Sequence, residues 1–326
     1  MVDYHSLTGY VSNSSLNLLR KSVRKFKKFI NGEYKEENTS YYDVGTAVHM
    51  AILEPEKYKI EVVAIDYTIP KSPKQKQFCA DFIELRKNKK KVKDSYLEAY
   101  VSNYSIPANN SEKWVEKAEQ LYKDLKPYIK YLVTSPNKLV ISPKTRSNIE
   151  DIKNGIKVHQ MASKLLLDPS IVGDDILRFN ELQILWEWKG IKCKSMLDRL
   201  LIDKKNKIIS IVDIKTTANI TEFRESFMKY GYDRQIAFYS LALYAKIEEI
   251  AGITKEELED YKTEFLIVAI DKGTTEIRVF PIEETVINTA LLQIRKLLTK
   301  AKWHFDNKKW DYSMEYYLSG GYDELF

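Results

Sequence analysis

Apolar, mostly β-branched residues fill Ile208-Ile209-Ser210-Ile211-Val212 and then give way to Asp213-Ile214-Lys215-Thr216-Thr217. Such a run reads as a strand. Successive strand side chains point to opposite faces, so Asp213 and Lys215 share one face while Val212 and Ile214 take the other. Residues 191–202 read as the preceding strand, with Asp203-Lys204-Lys205-Asn206-Lys207 as the turn between the two. A Lys205-Asn206 loop would pair Lys204 with Lys207 and set Asp198 directly opposite Asp213, with Cβ atoms roughly 4.5–5.5 Å apart. Residues 181–188 alternate like a further strand, joined to the next by Lys189-Gly190.

Away from this stretch, apolar residues recur every three or four positions, the period of a half-buried helix. One helix is expected from Ser14, carrying Leu16, Leu19, Val23, Phe26 and Ile30 and stopped by Asn31-Gly32, with Lys21, Arg24, Lys25 and Lys28 on its opposite side. After a polar linker from Glu33 to Ser40, residues 41–55 suggest a helix with Asp43 as its cap and Pro55 as its end. Phe78, Phe82 and Leu85 mark another within 71–93, and 94–130 continues as polar helix. Pro127, Pro136 and Pro143 suggest an irregular connection. Residues 149–167 form an amphipathic pattern with Ile152, Ile156, His159 and Leu166, closed by Asp168-Pro169. A helix from about 221 breaks near Gly231 and resumes through Gln235 and Tyr239, which lie four apart on one face. A hairpin of 263–271 with 275–281, a long helix over 283–305 and a Tyr-rich acidic tail complete the chain.

Composition narrows the class. With 326 residues and 44% apolar content, one decorated domain is expected, its helical part over 1–145 and its core over 146–326. A net charge of +6 permits a polyanionic partner, and nine of the residues 71–93 are Lys or Arg. A solvated helix and loop surface is the favoured reading of such clusters, with phosphate contact as the alternative. Two cysteines, Cys79 and Cys193, are too few for a disulfide framework or a four-thiolate cluster. No apolar run approaches the roughly 20 residues of a membrane span, so a cytoplasmic protein without membrane contact is expected. Neither an internal repeat nor a Gly-rich phosphate loop is present.

The hairpin then carries the chemistry. Two carboxylates that close repel unless a cation lies between them, and oxygen-only ligation suits a hard divalent ion, Mg²⁺ or Mn²⁺. Lys215 fits a place beside such an ion. The competing reading is a salt-bridged surface hairpin. His49, on an otherwise apolar helix, reads by pattern alone as a core histidine.

Together these residues resemble the PD-(D/E)xK nuclease superfamily and, more narrowly, the RecE-type exonucleases. Tyr4-His5-Ser6-Leu7 with Ser12-Asn13-Ser14-Ser15-Leu16 is similar to that family's serine-rich opening. Gly45-Thr46-Ala47-Val48-His49 followed by Leu53-Glu54-Pro55 is similar to its first motif. Asp198 and Asp213-Ile214-Lys215 occupy the acid motifs, and Gln235 with Tyr239 fits the helix motif Q-x-x-x-Y. Leu197 stands where the superfamily often has proline, and Met196 where the family often has arginine.

The resemblance implies an α/β fold with a restriction-endonuclease-like core, a central mixed sheet flanked by helices, and extra N-terminal helices. It implies Mg²⁺, replaceable by Mn²⁺, held by His49, Asp198, Asp213 and the backbone carbonyl of Ile214, with Glu181 as an additional acidic position. Lys215 would orient or activate water, and Gln235 and Tyr239 would assist positioning. The implied activity is hydrolysis of linear double-stranded DNA from its ends in recombination or repair. A ring-shaped homo-oligomer and a single-strand annealing protein are the implied partners. An endonuclease or a DNA-binding scaffold on the same fold are the alternatives.

Overall fold

The computed structural model of the chain describes residues 4–34, 40–66, 68–105, 111–134, 138–167 and 176–322. The expected contributions of Pro136 and of Asp168-Pro169 lie outside the described residues. In order, the elements begin with α1 (Asn13–Leu19), α2 (Val23–Ile30), α3 (Ser40–Leu53), α4 (Pro55–Glu61) and β1 (Val62–Ala64). Next come α5 (Pro73–Lys87), α6 (Val92–Asn103), α7 (Ser111–Thr134), β2 (Leu139–Ile141), α8 (Pro143–Val158) and α9 (Gln160–Leu166). Strands β3 (Ile176–Trp188), β4 (Ile191–Asp203) and β5 (Ile208–Thr217) precede α10 (Phe223–Tyr230), α11 (Tyr232–Ala251) and α12 (Lys255–Leu258). The chain ends with β6 (Lys262–Asp271), β7 (Ile277–Ile282), α13 (Glu284–Asn307) and α14 (Met314–Leu318). Two compact units result, one from Met1–Glu36 with Asn154–Phe326 and one from Glu37–Lys153.

The first unit holds the expected mixed sheet, five strands in the order β3-β4-β5-β6-β7. Every neighbouring pair is antiparallel except β5 and β6. Arg199 pairs with Val212 and Asp203 with Ile208, the register expected from the turn, and the ladder stops one step short of Asp198 and Asp213. Helices α1, α11 and α13 contact one another and pack with the sheet around Leu16, Phe26, Ile209, Ile211, Phe238 and Ile294. Burying these side chains stabilises the unit by about 1.5–3 kcal/mol each.

Beyond Arg199, β4 leaves β5 and takes a new neighbour. Val11 donates its N–H to Lys192 O and accepts from Lys194 N, forming a parallel bridge with Cys193. The buried Lys194 ammonium donates to the carbonyls of Tyr4 and Leu7, both at 2.9 Å, and so ties down the start of the chain.

Several expected boundaries move. The single helix from Ser14 is two, because Ser22 adopts an extended conformation and its hydroxyl accepts from Lys25 N at 3.3 Å, capping α2. The apolar spacing nonetheless holds, since Leu16, Leu19, Val23, Phe26 and Ile30 are all buried. Asp43 lies inside α3 rather than capping it, and Pro55 both ends that helix and opens α4 as its first residue. His159 occupies no helical face. Its ring accepts from Ala162 N at 3.2 Å and caps α9, splitting the pattern expected over 149–167.

The second unit has a short parallel pair, β1 with β2, and a helical core of Phe78, Phe82, Tyr96, Leu125 and Ile129, with Tyr96 stacked on Tyr122 at 5.2 Å. Pro127 sits within α7, not in a connection, because burial of Leu125 and Ile129 on either side carries the helix across it. Pro143 is the first residue of α8. No helix among the described residues is long and apolar enough to cross a membrane.

Candidate active site

Where β4 and β5 part, a carboxylate takes the place of the ladder. Asp198 Oδ2 accepts the N–H of Ile214 at 2.7 Å, so the acid is fixed by the backbone of the strand carrying the second acid. Val212 and Ile214 are buried on the far face, which commits Asp213 and Lys215 to the face of α11. There Lys215 Nζ lies 2.5 Å from Asp213 Oδ2, with the Lys215 side chain 14% and the Asp213 side chain 1% exposed. Gln235, in the first turns of α11, donates to Asp213 Oδ1 at 3.2 Å and to Tyr239 Oη at 2.6 Å. Asp198, Asp213, Lys215, Gln235 and Tyr239 therefore form one connected polar group.

Burial sets the electrostatics. Desolvation pushes the Asp198 carboxyl upward, against the lowering effects of Lys215 and the Ile214 N–H. Desolvation also pulls on the Lys215 ammonium, but Asp213 and Asp198 outweigh it and raise its pKa. Tyr239 is held well above the ordinary phenol value by burial and by the same two acids. The ammonium of Lys215 further lies 5.0 Å from the centre of the Tyr232 ring, within cation–π range. Tyr232 is a contact that helical periodicity could not reveal. Its only signal was an aromatic directly after the helix-breaking Gly231, which has φ 68°.

Glu181 occupies an unusual position. Asn180 pairs with Arg199 and Leu182 with Leu197, yet Glu181 between them has φ 47°, the left-handed region that side chains other than glycine rarely adopt. The core-facing residues of β3 change there from Leu177 and Phe179 to Leu182, Ile184 and Trp186, a break in the strand's two-residue period. Glu181 and Asp198 each offer a carboxylate oxygen within 4.8 Å of the other. Holding a residue in such a conformation costs about 1–3 kcal/mol and is characteristic of functional sites.

Glu181, Asp198 and Asp213 supply only carboxylate oxygens, the donor chemistry of a hard divalent cation. Ile214 contributes backbone alone, since its side chain is fully buried. His49 lies half-buried near the end of α3, in the Glu37–Lys153 unit. Arg24, Lys25 and Lys28 are exposed along α2 and Lys21 in the turn before it, and Arg24 Nε donates to the carbonyl of Asp311. Cys79 and Cys193 are buried free thiols, each pushed by burial to about 12.

Solved structures similar to the chain include the following two. One, from Eubacterium rectale and described as a candidate exonuclease, is 16% identical, with 89% of this chain and 80% of that chain covered at a TM-score of 0.43. The other, SSO0001, is 14% identical over 63% of this chain and 84% of its own, at a TM-score of 0.22. No curated protein sequence matches. Residues 12–316 match the family described as the PDDEXK-like domain of unknown function (DUF3799), a span that includes both acids, the lysine and the Gln-Tyr pair, and the chain belongs to that family.

Proposed function

We propose that this protein is a metal-dependent deoxyribonuclease that hydrolyses linear double-stranded DNA from its ends, as the RecE-type exonucleases do, in recombination or repair. One observation carries the reading: Asp198, Asp213 and Lys215 converge on a PDDEXK-like sheet, with Gln235 bridging Asp213 to Tyr239. Asp198, Asp213, Glu181, His49 and the Ile214 carbonyl would hold Mg²⁺ or Mn²⁺. A bound ion supplies Lewis-acid polarisation of the phosphodiester and charge stabilisation at the oxygens involved.

The protein's own groups account for the remainder. Lys215 donates a hydrogen bond that orients the attacking water and stabilises charge developing on phosphate oxygens. Gln235 fixes the Asp213 carboxylate through its amide, and Tyr239 fixes Gln235. The water oxygen bonds to phosphorus as the bond to the leaving sugar oxygen breaks, with the attacking water's proton released to solvent and the leaving oxygen taking a proton from solvent. In this reading these groups act on the phosphodiester, which carries no sequence information, so digestion indifferent to sequence is expected.

End selection requires a passage that encloses the duplex. A ring of several copies would provide one, and a single-strand annealing protein would take the strand released. Relaxed closed circular and linear forms of one plasmid, incubated with the protein and Mg²⁺, test the reading. Acid-soluble nucleotide from the linear form alone is expected. Rapid cutting of the closed circle would replace the exonuclease with an endonuclease on the same residues, and no hydrolysis of either form would overturn the nuclease reading.

A further inference from the structure

A row of aromatic rings runs outward from the lysine of the candidate site. At its inner end Phe223 is buried and lies face to face with Phe280, centroids 5.3 Å apart and planes at 13°. Tyr232 follows at 6.0 Å and 25° from Phe223, and Tyr230 at 5.9 Å and 29° from Tyr232. Lys215 Nζ stands 5.0 Å from the centre of the Tyr232 ring, the third of the four. The outermost ring is open. Tyr230 is 54% exposed, Met228 near it is 66% exposed, and the Lys229 ammonium lies 5.5 Å from the Tyr230 ring.

The backbone explains why the rings align. Helix α10 ends at Tyr230, Gly231 turns the chain in the left-handed conformation, and α11 starts at Tyr232. Gly231 has φ 68°, a conformation other residues adopt only with strain, so the tight turn that juxtaposes the two tyrosines favours glycine.

We propose that Tyr230 is a base-stacking platform, taking an unpaired nucleobase of the DNA strand whose phosphodiester lies at Asp198, Asp213 and Lys215. This rests on the nuclease reading. Stacked rings whose last member is open and flanked by a cation match what a nucleobase seeks, because every base offers a π-face regardless of sequence. Separation from the chemistry is also suitable: two steps of 5.0 and 5.9 Å lead from the Lys215 ammonium to the Tyr230 ring, comparable to a few base spacings of about 3.4 Å along a strand. The consequence is a preference for ends that carry or readily release an unpaired nucleotide.

The test uses the full chain, with Tyr230→Ala and Tyr230→Phe, and duplexes ending in a short single-stranded overhang. Binding is measured in Ca²⁺ with 2-aminopurine in the overhang, whose fluorescence falls on stacking, and again with the overhang nucleotides abasic. Wild-type cleavage of the same duplex in Mn²⁺ is followed in parallel. Expected is a loss of affinity in Tyr230→Ala of roughly five- to a hundredfold on natural bases, with the fluorescence change abolished. Tyr230→Phe should restore both, and on abasic overhangs all three proteins should bind alike. Equal binding by wild type and Tyr230→Ala on natural overhangs, with wild-type cleavage intact, would overturn the platform and leave the nuclease standing. Absence of wild-type cleavage would overturn the nuclease reading and the platform with it.

Discussion

Asp198 accepts a hydrogen bond from the N–H of Ile214, so the position of the first acid is dictated by the main chain between the second acid and the lysine. A substitution at Asp198 therefore acts on metal affinity and on the strand junction together. Asp198→Asn keeps an acceptor for the Ile214 N–H and removes only charge. It should bind Mn²⁺ much more weakly in calorimetry and lose DNA cleavage while keeping most of its melting temperature. Asp198→Ala should also melt lower, by about 1–3 kcal/mol for the unpaired N–H.

Lys215→Ala separates ligation from activation. An ammonium is no ligand, so Mn²⁺ binding should survive while cleavage is lost. Without the lysine, the buried Asp213 carboxylate keeps the Gln235 amide but loses its ion pair, and breaking a buried pair costs about 3–5 kcal/mol in the absence of metal. The melting temperature of Lys215→Ala should consequently rise more on adding Mn²⁺ than that of the wild type. Equal rises would contradict the electrostatic balance described for the site.

Glu181→Gly should stabilise the protein and disable it. Glycine adopts φ near 47° without penalty, so removal of the strained glutamate should contribute roughly 1 kcal/mol of stability by thermal denaturation. Cleavage and Mn²⁺ affinity should both fall. A variant that is less stable than wild type would show that the carboxylate, not the backbone, dominates the energetics there.

His49→Ala distinguishes ligand from core. As a ligand, its loss should weaken Mn²⁺ binding and cleavage with little change in melting temperature. A large stability loss with normal Mn²⁺ affinity would assign the imidazole to packing within its own unit.

Acid stability should depend on Asp271. Burial works against its ionisation, but the N–H groups of Thr274, Gly273 and Ile220 all donate to it and hold its pKa below the ordinary carboxylate value. A folded-state pKa below the unfolded one contributes stability that is full above the unfolded value, about 3.9, and is lost as pH falls through the folded value. Melting temperatures of wild type should therefore decline more steeply below about pH 4 than those of Asp271→Asn. Parallel curves would remove the anchoring role.

Local pattern made the sheet junction legible because the Asp203–Lys207 turn fixes the count on both sides of it, and one count places Asp198 opposite Asp213. Helices were legible wherever burial followed the period, as along Leu16 to Ile30. Their breaks were not, because Ser22 and His159 act through single hydrogen bonds that any polar surface residue could equally forgo. Pro127 shows the opposite failure, a strong local breaker overruled by buried neighbours. Glu181 was recognisable as an acid on a strand, but its backbone strain arises from the sheet around it. Val11 and Lys194 leave no local trace, and Tyr232 only its place directly after Gly231, since each finds its partner through the tertiary fold.

The bridge between Val11 and Cys193 carries a consequence for synthesis. At about 5–20 residues per second, the 181 positions between them take roughly 10–40 s to emerge. Throughout that interval the start of the chain has no strand to join, and the whole compact unit Glu37–Lys153 is made in the meantime. Closure of the sheet beside Asp198 is thus a late event of high contact order. Mutations that slow it would lower yield in the cell without altering the activity of the molecules that do mature.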